Sequence, residues 1–180
     1  MKKAYVFIDS ANIWQAQKSK RYLLDFEKLV EYLKKQLKGH KIKVFYYAAY
    51  PKEGTRGYDT GGKHKFFTML HKKLGITVRK KPLKQIRDTI SNKTIEKGNM
   101  DVELTMDAVN FMDSYDTAVF FTGDSDFLSL ISYMRKHEKK VFIFSSKNNI
   151  SDELRTGADG YTDILSLEAA LWRKPVERKK

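Results

Sequence analysis

The chain has 180 residues, the length of one ordinary domain, and 41% of them are hydrophobic, enough for a sizeable core. With 35 Lys and Arg against 22 Asp and Glu its formal charge is +13, which points to a polyanionic partner, nucleic acid before any other. No cysteine is present, so disulfides and thiolate metal sites are excluded, and no run approaches the ~20 apolar residues of a membrane span.

Met1-Lys2-Lys3 leads directly into Ala4 to Ile8, a buried strand that is too short for a signal peptide. Together with the lack of cysteine, this fits a cytoplasmic protein. Phe26, Leu29, Val30, Leu33 and Leu37 form a helical stripe over 24–37, stopped at Gly39. Ile42 to Tyr50 is β-branched and aromatic, a second strand ended by Pro51. A helix over 63–74 puts Phe66, Phe67, Leu70 and Leu74 on one side, and Ile76 to Lys81 is a short third strand. Residues 85–90 and 93–97 read as a hairpin turning at Ser91-Asn92. A helix over 101–112, a strand over 117–122, a helix over 126–137 and a strand over 140–145 follow. Short helices are expected at 152–156 and 167–172. These elements make one domain over 1–172, with a basic tail at 173–180. Apolar strands alternating with helices predict an α/β domain whose parallel sheet is covered on both faces.

In such sheets ligands bind beyond the carboxyl ends of the strands, where strand order reverses. Asp9, Asp124 and Asp126 all follow strand ends, and Asp101 opens a helix. Crowded carboxylates repel and raise each other's pKa, so their convergence calls for a divalent cation. Each acid also has a plainer reading. Asp9 and Asn12 are good helix caps, Asp126 can cap the next helix while Asp124 is solvated, and Asp101 suits a helix's first turn. Asp107 lies six residues past Asp101, roughly 120° around the helix, and is open to a second-rank role or to pairing with a Lys or Arg.

Three segments, in order, resemble the NYN domain, in the LabA-like branch of the PIN-like nuclease superfamily. They are Phe7-Ile8-Asp9-Ser10-Ala11-Asn12, then Lys97-Gly98-Asn99-Met100-Asp101-Val102 with Asp107, and Phe121-Thr122-Gly123-Asp124-Ser125-Asp126-Phe127. The resemblance runs from about Ala4 to Leu167. It implies a three-layer α/β/α fold, PIN-like and Rossmann-like, with a mainly parallel sheet. It also implies a pocket for Mg²⁺ or Mn²⁺ and RNA cleavage, usually endonucleolytic. Carried over motif by motif, Asp9, Asp101, Asp124 and Asp126 are the catalytic and metal-holding acids. Asn12 is their polar companion, Asp107 matches a further family acid, and Ser125 joins them in the second rank. Ser10 stands where glycine is common and Thr122 where serine is common, both small changes.

Few protein ligands are needed by an ion that keeps its waters. Asp9 and Asp124 are expected as direct ligands, with Asp126 and Asp101 at a second ion or at the surrounding waters. Attack by water leaves a 5′-phosphate and a 3′-hydroxyl. His40, His64, His71 and His137 are scattered, so no metal-free histidine mechanism is expected. The expected partner is RNA, single-stranded, with no membrane; a homodimer stays open. Lys52 to Lys65, with Arg56, Lys63 and Lys65 among glycines, is either a loop that tracks phosphates or a solvated one. Lys80 and Lys81 form a second patch with Arg79, Lys84 and Arg87, and Lys97 can meet a phosphate. Trp14 and Tyr58 either stack on unpaired bases or, for Trp14, pack.

The other functional class is a non-catalytic RNA-binding or regulatory protein on the same fold, for which a lost acid would speak; none of the four is missing. A haloacid-dehalogenase-like phosphatase would place an acid at Ala11, and a dinucleotide enzyme would need a glycine-rich turn after the first strand.

Overall fold

The computed structural model describes residues 1–52, 61–87 and 94–175. Along the chain lie β1 (Lys2–Asp9), α1 (Ser10–Lys20), β2 (Leu23–Leu24), α2 (Phe26–Gln36), β3 (His40–Tyr50), α3 (Gly61–Lys72) and β4 (Thr77–Pro82). Then come β5 (Lys84–Arg87), β6 (Thr94–Lys97), α4 (Asp101–Asn110), β7 (Thr117–Phe121), α5 (Leu128–Lys136), β8 (Lys140–Ser145), α6 (Asp152–Gly157), β9 (Gly160–Asp163) and β10 (Trp172–Arg173). The central sheet has six strands in the order β4-β3-β1-β7-β8-β9, and every pairing in it is parallel.

Alternate residues of the apolar strands feed two cores. Val6, Ile8, Val44, Tyr46, Val119 and Phe121 pack against Ile13 and Ala16 of α1, Phe26, Leu29 and Leu33 of α2, and Phe67 and Leu70 of α3. Phe7, Phe45, Tyr47, Phe120, Val141 and Ile143 meet Leu104 and Ala108 of α4, Ile131 and Met134 of α5, and Leu154 of α6. The result is a three-layer α/β/α fold. Phe7 stacks on Phe45 at 5.5 Å and on Phe120 at 5.0 Å, one ring from each of the three central strands. Full burial of each ring contributes about 1.5–3 kcal/mol and holds the carboxyl ends of these strands level.

The chain winds outward from β1 through β3 to β4, then returns to the other side of β1 and winds outward through β7, β8 and β9. Right-handed crossovers in opposite directions put the first three helices on one face and the last three on the other. The switch point therefore falls between β1 and β7. Ile8 pairs with Phe121, so the next residues, Asp9 and Thr122, leave the sheet side by side.

α1 is not expected from the sequence pattern. Only Asn12, Ile13 and Ala16 of this helix are buried, so it carries almost no apolar stripe. β9 and the two-residue antiparallel pair of Leu23–Leu24 with Trp172–Arg173 are likewise not expected from the sequence pattern. That pair replaces the helix expected over 167–172, where Ala169–Leu171 forms one 3₁₀ turn. α3 begins at Gly61, so Lys63 and Lys65 sit on a helix and not in a loop. Arg56 and Tyr58 lie outside the described residues, as does the expected turn at Ser91-Asn92. The hairpin itself is present, with Ile86 opposite Ile95. Among the described residues no helix is long and apolar enough to cross a membrane.

Candidate active site

Asp9 is the last residue of β1 and the N-cap of α1, its Oδ1 accepting from the Ala11 N–H at 2.9 Å. Asp124 follows β7 and caps the 3₁₀ turn Ser125–Phe127, its Oδ1 accepting from the Asp126 N–H at 2.9 Å. Asp101 opens α4, and the Asn99 amide donates to its Oδ2. Asp9 is thus a cap, as its plainer reading had it, while after β7 the capping role falls to Asp124 and not to Asp126. These caps also orient the site, because each uses one carboxylate oxygen and pins the group at the sheet's rim.

Asp9, Asp101 and Asp124 line one cavity of about 500 Å³ together with Trp14, Lys63 and Asn99. Asp126 stands just outside, sharing a smaller apolar hollow with Asp101, Val102 and Met106. Burial pushes the Asp9 carboxyl up to about 6; the Ala11 N–H opposes this, and Asp101 and Asp124 add to it. Asp101 is raised as well, by burial first and then by Asp124 and Asp126. Burial and mutual repulsion together strain the ionised forms, and a cation would relieve that strain.

Against known proteins, the family model of the NYN domain matches residues 3–166. The chain belongs to the NYN domain family. This NYN domain is 28% identical over 160 residues to the Low amplitude and bright protein LabA of Synechococcus elongatus, covering 88% of this chain and 82% of that protein. The assignment is LabA-like, within the PIN-like nuclease superfamily. A shorter stretch of 88 residues is 34% identical to the uncharacterized protein MJ0482 of Methanocaldococcus jannaschii, covering 48% of this chain and 36% of that one. Among solved structures, the protein of unknown function VPA0982 from Vibrio parahaemolyticus superposes with a TM-score of 0.73 at 22% identity. The match spans 95% of this chain and 96% of the other, and it supports the fold.

The supporting residues of this NYN domain divide. Asn12 is 3% exposed; its Nδ2 donates to the Phe144 carbonyl at 3.3 Å and its Oδ1 accepts from the Ser145 hydroxyl at 2.8 Å. It ties the start of α1 to the end of β8 under the acids. Asn12→Ala strands both partners and is expected to cost about 1–3 kcal/mol of stability, read by urea denaturation. Asp107 accepts from the Tyr47 hydroxyl at 2.9 Å and from Arg79 Nε at 3.0 Å, an ion pair that fastens α4 to β3 and β4. It does not line the cavity. Ser125 is exposed and lines a hollow that also holds Asp9, Asn12 and Asp124.

Of the cations, Lys63 reaches the cavity wall. Lys81 pairs with Glu103 at 2.6 Å, which holds the Glu103 carboxyl below its usual range. Lys80 lies over the Phe67 and Tyr50 rings at 5.3 and 5.8 Å. Lys65 and Lys97 are exposed and do not line the cavity. Trp14 is 55% exposed at the rim, with Lys18 Nζ 5.2 Å from its ring centroid, so it does not pack into the core. Asn99 is a site residue that the sequence pattern does not single out; its signal is its place two residues before Asp101.

Proposed function

We propose that this NYN domain is a metal-dependent ribonuclease that cuts RNA endonucleolytically at the acidic cavity. The observation that carries this reading is that Asp9, Asp101 and Asp124 line one cavity at the sheet's switch point, in a chain of net charge +13. The acids supply only oxygen donors, which suits Mg²⁺ or Mn²⁺. Among the described residues no three acids or histidines stand close enough to hold one ion directly. That fits a hydrated cation, which takes one or two carboxylates and keeps several waters, and does not fit a dehydrated cage. Asp9 and Asp124 would hold it, with Asp101 and Asp126 steadying its waters or a second ion. A bound cation would polarise the phosphodiester and acidify the attacking water.

Asp101, its pKa raised by burial and neighbouring acids, is suited to accept the proton of that water. Lys63 would hold a phosphate at the cavity wall, and Lys65, Lys80, Lys81, Lys97 and Arg56 would attract the flanking backbone. The Lys81–Glu103 pair would have to open for Lys81 to contribute.

The test is labelled single-stranded RNA incubated with Mg²⁺, Mn²⁺ or EDTA, beside Asp124→Asn. Cleavage is expected only with metal, and the variant should lose at least about 100-fold, the upper range for weakening a metal's supporting groups. RNA affinity should stay within a few fold. Because the Asp9 carboxyl sits at about 6, protons compete with the cation, so the Mg²⁺ concentration for half-maximal cleavage should rise as pH falls below that value. The second reading, RNA binding without turnover, is favoured by the commitment of Asp9 and Asp124 to capping bonds. Metal-independent binding with no cleavage in any arm would select it.

A further inference from the structure

A second cavity of about 300 Å³ opens next to the acidic one, and Ser10, Trp14, Ala49 and Lys63 form the divide between them. Tyr46, Tyr50, Phe66 and Phe67 line it, beside the aliphatic Ile13, Leu23 and Leu24. These rings brace one another edge to face, Tyr46 on Phe66 at 5.8 Å and Tyr50 on Phe67 at 6.1 Å, so the wall is stiff. Trp14 stands on the divide, more than half exposed. Positive charge surrounds the opening, with Lys63 on the divide, Arg173 in the lining and Lys18 against the Trp14 ring.

We infer that this aromatic cavity holds one unpaired base of the strand whose backbone crosses the acidic cavity, which makes the substrate single-stranded or locally opened RNA. The inference rests on the ribonuclease reading and deepens it. A volume of about 300 Å³ lies at the small end of ligand pockets, room for one planar ring system but not for a stretch of strand. Aromatic faces accept any base, because every base has a π-face. The flanking lysines and arginine match the phosphates on either side of that base, a complement that an apolar peptide would leave unused. Continuity with the acidic cavity then sets register, since a base seated behind Trp14 puts its neighbouring phosphodiester beside Asp9 and Asp124. A base inside a duplex is stacked and paired, and must be extruded at a cost of a few kcal/mol to enter such a pocket.

The experiment measures binding in EDTA, so that cleavage plays no part. Its probes are a fluorescein-labelled oligoadenylate of about eight nucleotides, the same oligomer with an abasic nucleotide placed at each position in turn, and a blunt RNA duplex of that length. Removing the base at one position should weaken wild-type binding about tenfold, within the range of one base–aromatic stack. Trp14→Ala should bind the intact oligomer about tenfold more weakly and be indifferent to that abasic position. Trp14→Phe should recover most of the loss, and the duplex should bind more weakly than the single strand. Quenching of tryptophan fluorescence on binding should be seen in the wild type and lost in Trp14→Ala, which assigns the signal to Trp14 and not to the buried Trp172. Equal affinity for intact and abasic strands would overturn the base pocket while leaving the ribonuclease reading standing. Failure to bind any of the RNAs would overturn both.

Discussion

Replacing Asp9 with asparagine is expected to make the protein more stable at neutral pH while abolishing cleavage. The fold raises this carboxyl from 3.8 to about 6, chiefly by burial. A raised folded-state pKa means that the neutral form is favoured by folding. Below pH ~3 Asp9 is neutral in both states and costs nothing. As pH climbs towards 6 the unfolded chain ionises first, and above 6 the folded protein carries the full penalty. Two units correspond to about 3 kcal/mol at most. The Asp9→Asn side chain avoids the charge and keeps an oxygen for the Ala11 N–H, so the cap survives. Urea denaturation should therefore show the variant and the wild type equal near pH 3 and the variant ahead by about 1–3 kcal/mol at pH 7.5. Mg²⁺ should raise the melting temperature of the wild type only, because a ligand that binds the native state alone stabilises it. A variant less stable than wild type at pH 7.5 would mean that the ionised carboxylate is stabilised by its surroundings and that the acids are not held in strain for a cation.

Gly123→Ala is expected to damage both stability and the site. A Cβ on Gly123 would collide with the Asn149 carbonyl oxygen, with the Asn149 carbonyl carbon at 2.9 Å and with the Ser145 hydroxyl at 2.5 Å. Backbone of the 146–149 turn cannot swing aside as a flexible side chain can. The turn, or the segment that carries Asp124, must move. Overpacking of this kind costs about 1–3 kcal/mol, and here it also shifts a candidate metal-holding carboxylate. Gly62 supplies the control. Among the described residues, its chain neighbours and own helix backbone aside, no atom lies within 4 Å of its Cβ position, and it sits in α3, so Gly62→Ala should be neutral or stabilising by up to about 1 kcal/mol. Thermal melts of the two variants should move in opposite directions, and cleavage should fall in the Gly123 variant alone. Equal melting temperatures would show that the 146–149 turn yields freely and that the close approach carries no constraint.

Several features were legible because they depend on local sequence. The strands over 4–8, 117–122 and 140–145 have continuously apolar centres at 4–8, 118–121 and 141–144, since a parallel sheet covered on both faces leaves no polar side, and their bounds were read to within about two residues. Asp9 and Asp124 were legible because acids directly after such strands must emerge at the sheet's rim. The same reasoning failed for α1, whose polar outer face and few buried residues leave no stripe to read. A parallel link from β1 to β3 requires a crossover, and that constraint would have recovered the helix. β9 is four half-buried residues starting at Gly160, and its strand character comes from pairing with β8.

Residue type and periodicity were enough to specify the chemistry available to this protein: carboxylate oxygen donors without thiolates, a basic surface, and acids at the ends of apolar strands. They could not specify which acids share a cavity. Packing of the chain brought Asp9, Asp101 and Asp124 together, set Asp126 at the edge, and gave Asp107 to Arg79 and Tyr47. These partners lie far apart in the chain. Their meeting depends on strand order, on crossover handedness and on the packing of α4, none of which is written in any local run of residues.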